Sequence, residues 1–410
     1  RGTTSLAGST TALALTDDTA VASGAMGDAL QGAAVSAVIL DSYKRAYGYD
    51  IGQSLRSAGI QPRLQGAVDA RSHQVASSNE RVALAFTLAD RGAGSARWIA
   101  PLQLSQQDAE GASVLAGRVA MKLSPNQQLA FGFRERADGL VGQLQGQDRP
   151  AFLIAGEARG DAGFVQGGNL SLAYRRQIGA WGLSASVEQG KAWLGRARIE
   201  DGRLERERET RGLSSVSLTA DRRFGTLDTA MGLTWLGEDR TVLGGYFANA
   251  LGAGGSNSLF VDANAAWHFA DGWRLGGSMR QGWTRADRVG AIGAGSNFAS
   301  QAWSADVTRR GVFGHFDSLG LRVSQPLRVT GGGLNLTLPV SYDYATLVPT
   351  YATRTLALTP QGREIDSELA WHGGLWGGDA AASLFYRTNP GHVASLPDDA
   401  GVALKWARKF

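Results

Sequence analysis

The 410-residue chain contains no cysteine, few histidines (5) and methionines (4), and 19% charged residues, against about 25% in ordinary soluble domains. Without cysteine there is neither a disulfide scaffold nor a thiolate metal site. His73, His268, His315, His372 and His392 are scattered, without the paired spacing of a histidine metal site, so no metal or other cofactor is expected. No apolar run approaches the roughly 18 residues of a membrane-spanning helix; the best, residues 33–40, has 8. The formal charge is +4 and the pI about 9.4, but Arg and Lys are dispersed. A nucleic-acid partner would require them in one stripe, and none is expected. G-x-S-x-G, H-E-x-x-H, P-loop and G-x-G-x-x-G motifs are also missing, so the chain is not expected to be an enzyme. It opens at Arg1 without a signal-peptide pattern, which reads as the C-terminal part of a longer product.

What is present is glycine, 56 residues, about twice the usual ~7%. There are also 11 tryptophans and 43% hydrophobic residues, which excludes disorder. From residue 80 onward, about fifteen segments of roughly ten residues alternate in character, the period of a strand with unlike faces. Val82, Leu84, Phe86 and Leu88 alternate with Ala83, Ala85 and Thr87; Leu129, Phe131 and Phe133 alternate with Ala130, Gly132 and Arg134. Val216-Leu218-Ala220, Met231-Leu233-Trp235, Leu319-Leu321-Val323 and Val402-Leu404-Trp406 continue the pattern.

The second face decides the class. It carries Gly, Ala and Ser, punctuated by Arg118, Lys122, Arg134, Arg175, Glu188, Asp262, Arg274, Arg280, Arg322, Asp366 and Glu368. An apolar outside over a small or charged inside is the arrangement of a barrel in lipid, where open sheet edges are forbidden. The expected fold is therefore all-β: a closed antiparallel transmembrane β-barrel of 12 to 18 strands, even in number, over residues 61–410. The eleven charged residues are its lumen-facing candidates. Trp235, Trp267, Trp283, Trp303, Trp371 and Trp406 near strand ends read as an interfacial aromatic girdle. Phe410 ends an alternating strand, the position of an assembly signal.

Tight turns at Ser124-Pro125-Asn126, 177–180, 223–226 and 270–272 alternate with long stretches at 137–167, 192–212, 238–257 and 285–299. Short turns on one side and long loops on the other are typical of such barrels. Connections 309–317 and 343–362 fit either side. Residues 1–60 read as a linker or passenger remnant, with 27–55 as a possible lumen-threading segment. Residues 27–47 are compatible with an amphipathic helix or with a strand. Residues 61–78 are an additional strand or a connector. His268, with Asp262 and Asn264 on one inward face, is the best candidate for a hydrolase site, against the plainer reading of a lumen-lining histidine.

The run Leu319-Gly-Leu-Arg-Val-Ser-Gln-Pro-Leu-Arg-Val329 resembles the end region of subtilase-family autotransporters of Gram-negative bacteria. So do Ser341-Tyr-Asp-Tyr344, Gly362-Arg-Glu-Ile-Asp366, Ala382-Ser-Leu-Phe-Tyr-Arg387 and Pro390-Gly-His392. Gly27-Asp-Ala-Leu30, Leu40-Asp-Ser-Tyr43 and Tyr49-Asp50 resemble the segment that follows the protease in those proteins. The resemblance implies a monomeric outer-membrane translocator with the passenger side at the cell surface. Its implied partners are outer-membrane lipid, the barrel-assembly machinery and its own upstream subtilisin-like passenger. The protease motifs themselves are absent, so no catalytic residue carries over. Relatives that cut their own linker use an Asn at the junction; residues 1–60 contain none, so release is expected to need another protease. The alternatives are a solute channel of similar architecture and, behind it, an outer-membrane hydrolase.

Overall fold

The computed structural model describes residues 2–4, 10–12, 20–33, 35–41, 43–56, 72–90, 112–146, 152–193, 210–247, 251, 254–314 and 317–407. Its main element is a 16-stranded antiparallel sheet. The strands are β1 (Ser72–Ser78), β2 (Val82–Asp90), β3 (Ala112–Ser124), β4 (Gln127–Phe133), β5 (Gln166–Ile178), β6 (Trp181–Trp193), β7 (Thr210–Phe224) and β8 (Leu227–Glu238). They continue with β9 (Ser256–Ala270), β10 (Trp273–Ala286), β11 (Asn297–Arg310), β12 (Ser318–Asp343), β13 (Val348–Ala357), β14 (Ile365–Leu375), β15 (Gly378–Thr388) and β16 (Asp399–Ala407). Each strand pairs with the next along the chain, except that β12 pairs with both β13 and β14. The described pairings thus run as one meander from β1 to β16.

The alternation becomes two unlike faces because the register aligns it from strand to strand. Phe131, Leu172, Val187, Val216, Trp235, Leu259 and Trp283 are direct cross-strand partners along β4 to β10, and all are exposed. A second row links Trp267, Leu275, Val307, Leu321, Leu369, Leu384 and Val402 from β9 to β16; Leu384 and Val402 are 55% and 65% exposed. Soluble monomers rarely expose apolar patches beyond a few hundred Å², whereas this belt crosses almost the whole sheet.

The other face carries the opposite chemistry. Thr219, Gly232, Asp262, Arg280 and Ala302 form one cross-strand row. Asp306, Arg322 and Glu368 form another, and all three are buried. This face curls around a segment of the chain. Ala137 is bound by Glu188 of β6, its neighbour Arg136 bonds Gly160, and Asp161 bonds Leu327 of β12. On a flat sheet β6 and β12 would stand roughly 29 Å apart; three short contacts join them here only because the sheet is curved.

Connections alternate in length. Gly179 (φ 58°) and Gly225 (φ 59°) open two-residue hairpins, taking the positive φ that the first central position of such a turn favours. The described residues 311–314 and 317 lie on the short-turn side, while 344–347 is the tip of a β12–β13 hairpin on the long-loop side. That hairpin exists because β12 is 26 residues long and runs past the end of β11.

The N-terminal arm differs from a helical reading of 27–47. A 3-10 turn covers Gly24–Met26, and Ser36–Leu40 pairs with Ala46–Asp50 as a hairpin. The Val38-Ile39 pair favours this outcome, since β-branched side chains favour an extended backbone. Residues 61–71 and Phe410 lie outside the described residues. The apolar core sits at the long-loop end, where Met26, Leu30, Leu243, Phe247, Ile292, Leu327, Leu334 and Leu336 are at most 2% exposed.

Leu233 lies mid-strand on β8 and is exposed. With hydrocarbon against the belt, Leu233→Arg is expected to cost about 2–4 kcal/mol in urea titrations in lipid vesicles, and Leu233→Ala much less. Equal stability of the arginine variant and the parent would contradict a lipid-facing position.

Candidate functional site

The interior of the curved sheet is occupied by the connection between β4 and β5. It contains the one α-helix among the described residues, α1 (Ala137–Gln145), and the irregular stretch 152–165. Irregular backbone inside a protein must find partners for every N–H and C=O; here the wall supplies them. Glu368 of β14 is fully buried. Its Oε1 accepts from Leu153 N (2.8 Å) and Ser383 Oγ (2.5 Å), its Oε2 from Ile154 N (2.7 Å) and Ala155 N (2.8 Å). Four donors saturate the acceptor capacity of an ionised carboxylate.

Glu188 of β6 acts at the start of α1. Residue Arg136 offers no side-chain cap there, and Glu188 Oε2 accepts from Ala137 N at 2.8 Å. A carboxylate near the exposed N–H groups and positive end of a helix is favourable. Further along, Ala158 N donates to Ser278 Oγ (3.1 Å). Asp161 accepts from Gly163 N (2.8 Å) and Leu327 N (2.7 Å).

The inward arginines join the same network. Arg280 pairs with Asp262 (3.2 Å), donates to Asp161 O (2.8 Å) and stacks on Phe260. Arg322 donates to Asp306 (2.8 Å) and lies 4.3 Å from the centre of the Phe152 ring. Arg274 also pairs with Asp306, and Arg175 with Asp221. Asp366 lies 3.4 Å from Arg387, which pairs with Glu364 at 2.6 Å. Beneath α1 remains a polar cavity of about 580 Å³, lined in part by Gln145, Glu157, Arg175, Asp221, Asn264 and Asp306.

Three candidates stand apart from this network. Arg118 reaches Glu135 at 3.0 Å from a half-exposed position. Lys122 is exposed near the short-turn end of β3. Arg134 follows the last residue of β4 with φ 51°. That break in alternation carries its guanidinium over the outward Phe133 ring instead of into the interior. His268 bonds Asp228 at 3.2 Å, while Asp262 is engaged by Arg280, so the hydrolase candidates are not brought together. Asp262 and His268 are six residues apart on one strand, roughly 20 Å.

Among the tryptophans, Trp235 and Trp283 lie toward the long-loop end, and Trp267 and Trp406 toward the short-turn end. Trp371 is half-buried and donates Nε1–H to Asp317 (3.1 Å). Trp303 is a departure from the strand-end reading: it is half-buried at mid-strand, opposite Met279, where its apolar area suits the centre of the belt.

The described part of 27–55 contacts the long-loop mouth. Asp28 accepts from Gln361 N (2.6 Å), Gly362 N (3.4 Å) and Ala394 N (2.8 Å), and just upstream of this segment Ala25 N donates to Gly163 O (2.7 Å). Gly27 lies so close to the β15–β16 connection that a Cβ there would fall 2.3 Å from His392 O. His392 is 1% exposed. Its Nδ1 accepts from Glu364 N (2.8 Å) and its Nε2 lies 3.2 Å from Leu327 O, the pattern of a neutral ring protonated at Nε2. Burial, opposed by Glu364, lowers its pKa to about 4. Asp28, Asp161, Glu364, Arg387 and His392 had no sequence-level role. Asp28, Glu364, Arg387 and His392 lie within the family-like runs, whereas Asp161 lies in a stretch that reads only as a Gly-rich loop.

No protein-family model and no curated protein sequence matches the chain. Among solved structures it is similar to OprB of Pseudomonas putida, at 13% identity over 79% of this chain and 81% of that one, with a TM-score of 0.37. OmpT of Vibrio cholerae is similar at 10% identity over 70% and 76%, with a TM-score of 0.34. The ferric yersiniabactin uptake receptor FyuA of Yersinia pestis is similar at 13% identity over 77% and 51%, with a TM-score of 0.32. These are outer-membrane proteins, but a likeness this loose assigns neither function nor location.

Glu368→Ala would leave three backbone N–H groups without their acceptor, at about 1–3 kcal/mol each. Amide hydrogen exchange at 153–155 is expected to accelerate at least tenfold, and unchanged protection would refute the anchoring of these three N–H groups by Glu368. For His392 the sign follows from its folded pKa of about 4 against 6.5 for the ordinary ring. The unfolded state binds the extra proton between those values, so stability is complete above pH 6.5 and declines as pH falls toward 4. Urea midpoints at pH 7.5 and 5 should show the loss, and His392→Gln should reduce that pH difference.

Proposed function

We propose that the chain is a closed transmembrane β-barrel of a Gram-negative outer membrane, serving as translocator and surface anchor for an upstream passenger. The exposed belt supports the membrane part. Hydrocarbon is the environment in which rows of Leu, Val and Trp around a curved sheet are stable while paired charges face inward. Closure follows from the same environment, since strand edges in lipid would leave N–H and C=O groups unpaired.

The observation that carries the translocator reading is the docking of the N-terminal arm at the long-loop mouth through Asp28. With long loops facing the exterior, an upstream segment would continue from that side. In this reading assembly begins from the final strand ending in Phe410, one barrel acts alone, and the barrel performs no covalent chemistry. Folding of the passenger outside supplies the bias for export. The polar 580 Å³ cavity beneath α1 favours a second reading, a solute channel.

An epitope tag placed ahead of Arg1 is expected to be shaved by protease added to intact cells while the strands stay protected. A tag degraded only after lysis would overturn the anchor reading. In planar bilayers the parent protein should conduct little; large, stable conductance would favour the channel.

A further inference from the structure

The outward face at the short-turn end carries an arrangement that the interior does not use. Arg222 on β7 is the cross-strand partner of Trp181 on β6. Its guanidinium carbon lies 5.1 Å from the Trp181 ring centre and 4.5 Å from that of Phe224. Both rings are exposed, at 44% and 48%. Arg222 Nε is enclosed and has no hydrogen-bond partner, and no carboxylate among the described residues pairs with it. Farther round the same rim, Arg309 on β11 is exposed and lies 5.2 Å from the ring of Trp273, its partner on β10. Trp273 continues through Phe269 to Trp267 as a chain of tilted rings at 6.0 and 5.5 Å.

The charge at this rim is one-sided. The acidic residues nearby, Asp221, Asp228 and Asp306, are engaged with Arg175, with Arg223 and His268, and with Arg274. Asp271 sits in the turn itself. The outward positions from Ala220 to Phe224 on β7 and from Val307 to Arg309 on β11 hold no Asp or Glu.

We propose that Arg222 with Trp181 and Phe224, and Arg309 with Trp273, form binding positions for the headgroup phosphate of an anionic glycerophospholipid in the short-turn leaflet. This rests on the membrane-barrel reading above. A guanidinium held between aromatic faces keeps its N–H fork free for a phosphate, and aromatic rings prefer the headgroup level. Immediately beyond lie Leu183 and Leu218, exposed on the same face, which gives the acyl chains of a lipid, but not a free anion, a surface to follow.

The purified barrel would be reconstituted in vesicles of phosphatidylcholine and phosphatidylglycerol, re-extracted in mild detergent, and its retained lipid quantified. Phosphatidylglycerol should be enriched over its share of the vesicle. Arg222→Gln and Arg309→Gln should each remove about half of the enrichment, and the double variant should lower it about fivefold, the factor for loss of one basic residue at each of two charged positions, while Arg222→Lys keeps most of it. Excess inorganic phosphate should leave the enrichment intact. An inserted parent without enrichment, unchanged enrichment in the double glutamine variant, or displacement by inorganic phosphate would each overturn the inference alone. Failure to insert, seen as a chain that does not float with vesicles, would overturn the barrel reading together with it.

Discussion

A polypeptide that faces hydrocarbon has no water to satisfy its backbone, and a strand satisfies its own only through both neighbours. In the proposed membrane barrel the meander from β1 to β16 meets that requirement, and there the register matters more than any single side chain. Because side chains alternate with a period of two, a slip of one residue would bring every inward arginine into the belt. The cross-strand row from Phe131 to Trp283 exists only at the observed register.

The inner face meets a different requirement. Charged groups removed from water need partners with good geometry, and the curved sheet provides two kinds. Some pair with the wall, as Arg280 with Asp262. Others bind the backbone of the β4–β5 connection, as Glu368 does with three successive N–H groups. The charged lining is therefore largely a scaffold for the chain's own interior segment, and a polar cavity remains below α1. At the long-loop end a conventional apolar core takes over, with Leu327, Leu334 and Leu336 of β12 against Met26 and Leu30 of the arm.

Much of this was legible in the residues. The strands from Val82 to Trp406, the tight turns at Gly179 and Gly225, and the inward direction of Glu188, Asp262, Arg280, Arg322, Asp366 and Glu368 follow from period-two alternation. Arg134 escaped because alternation presumes an unbroken strand, and its positive φ ends β4. Trp303 escaped because tryptophan at an interface and tryptophan in the apolar belt share one composition. Residues 152–165 read as an external Gly-rich loop, since nothing local in their pattern reports an acceptor more than 200 positions away.

Local periodicity is set by which side chains must meet apolar surroundings, and it acts through neighbours two residues apart. The sequence by itself therefore determined an all-β chain with an apolar face and a small or charged one, together with its sequence of short and long connections. Only the tertiary structure decided what fills the interior, where the N-terminal arm docks and which acid meets which arginine. Those contacts join residues from distant strands, and the curvature of the sheet, a property of all the strands together, is what brings them within hydrogen-bonding distance.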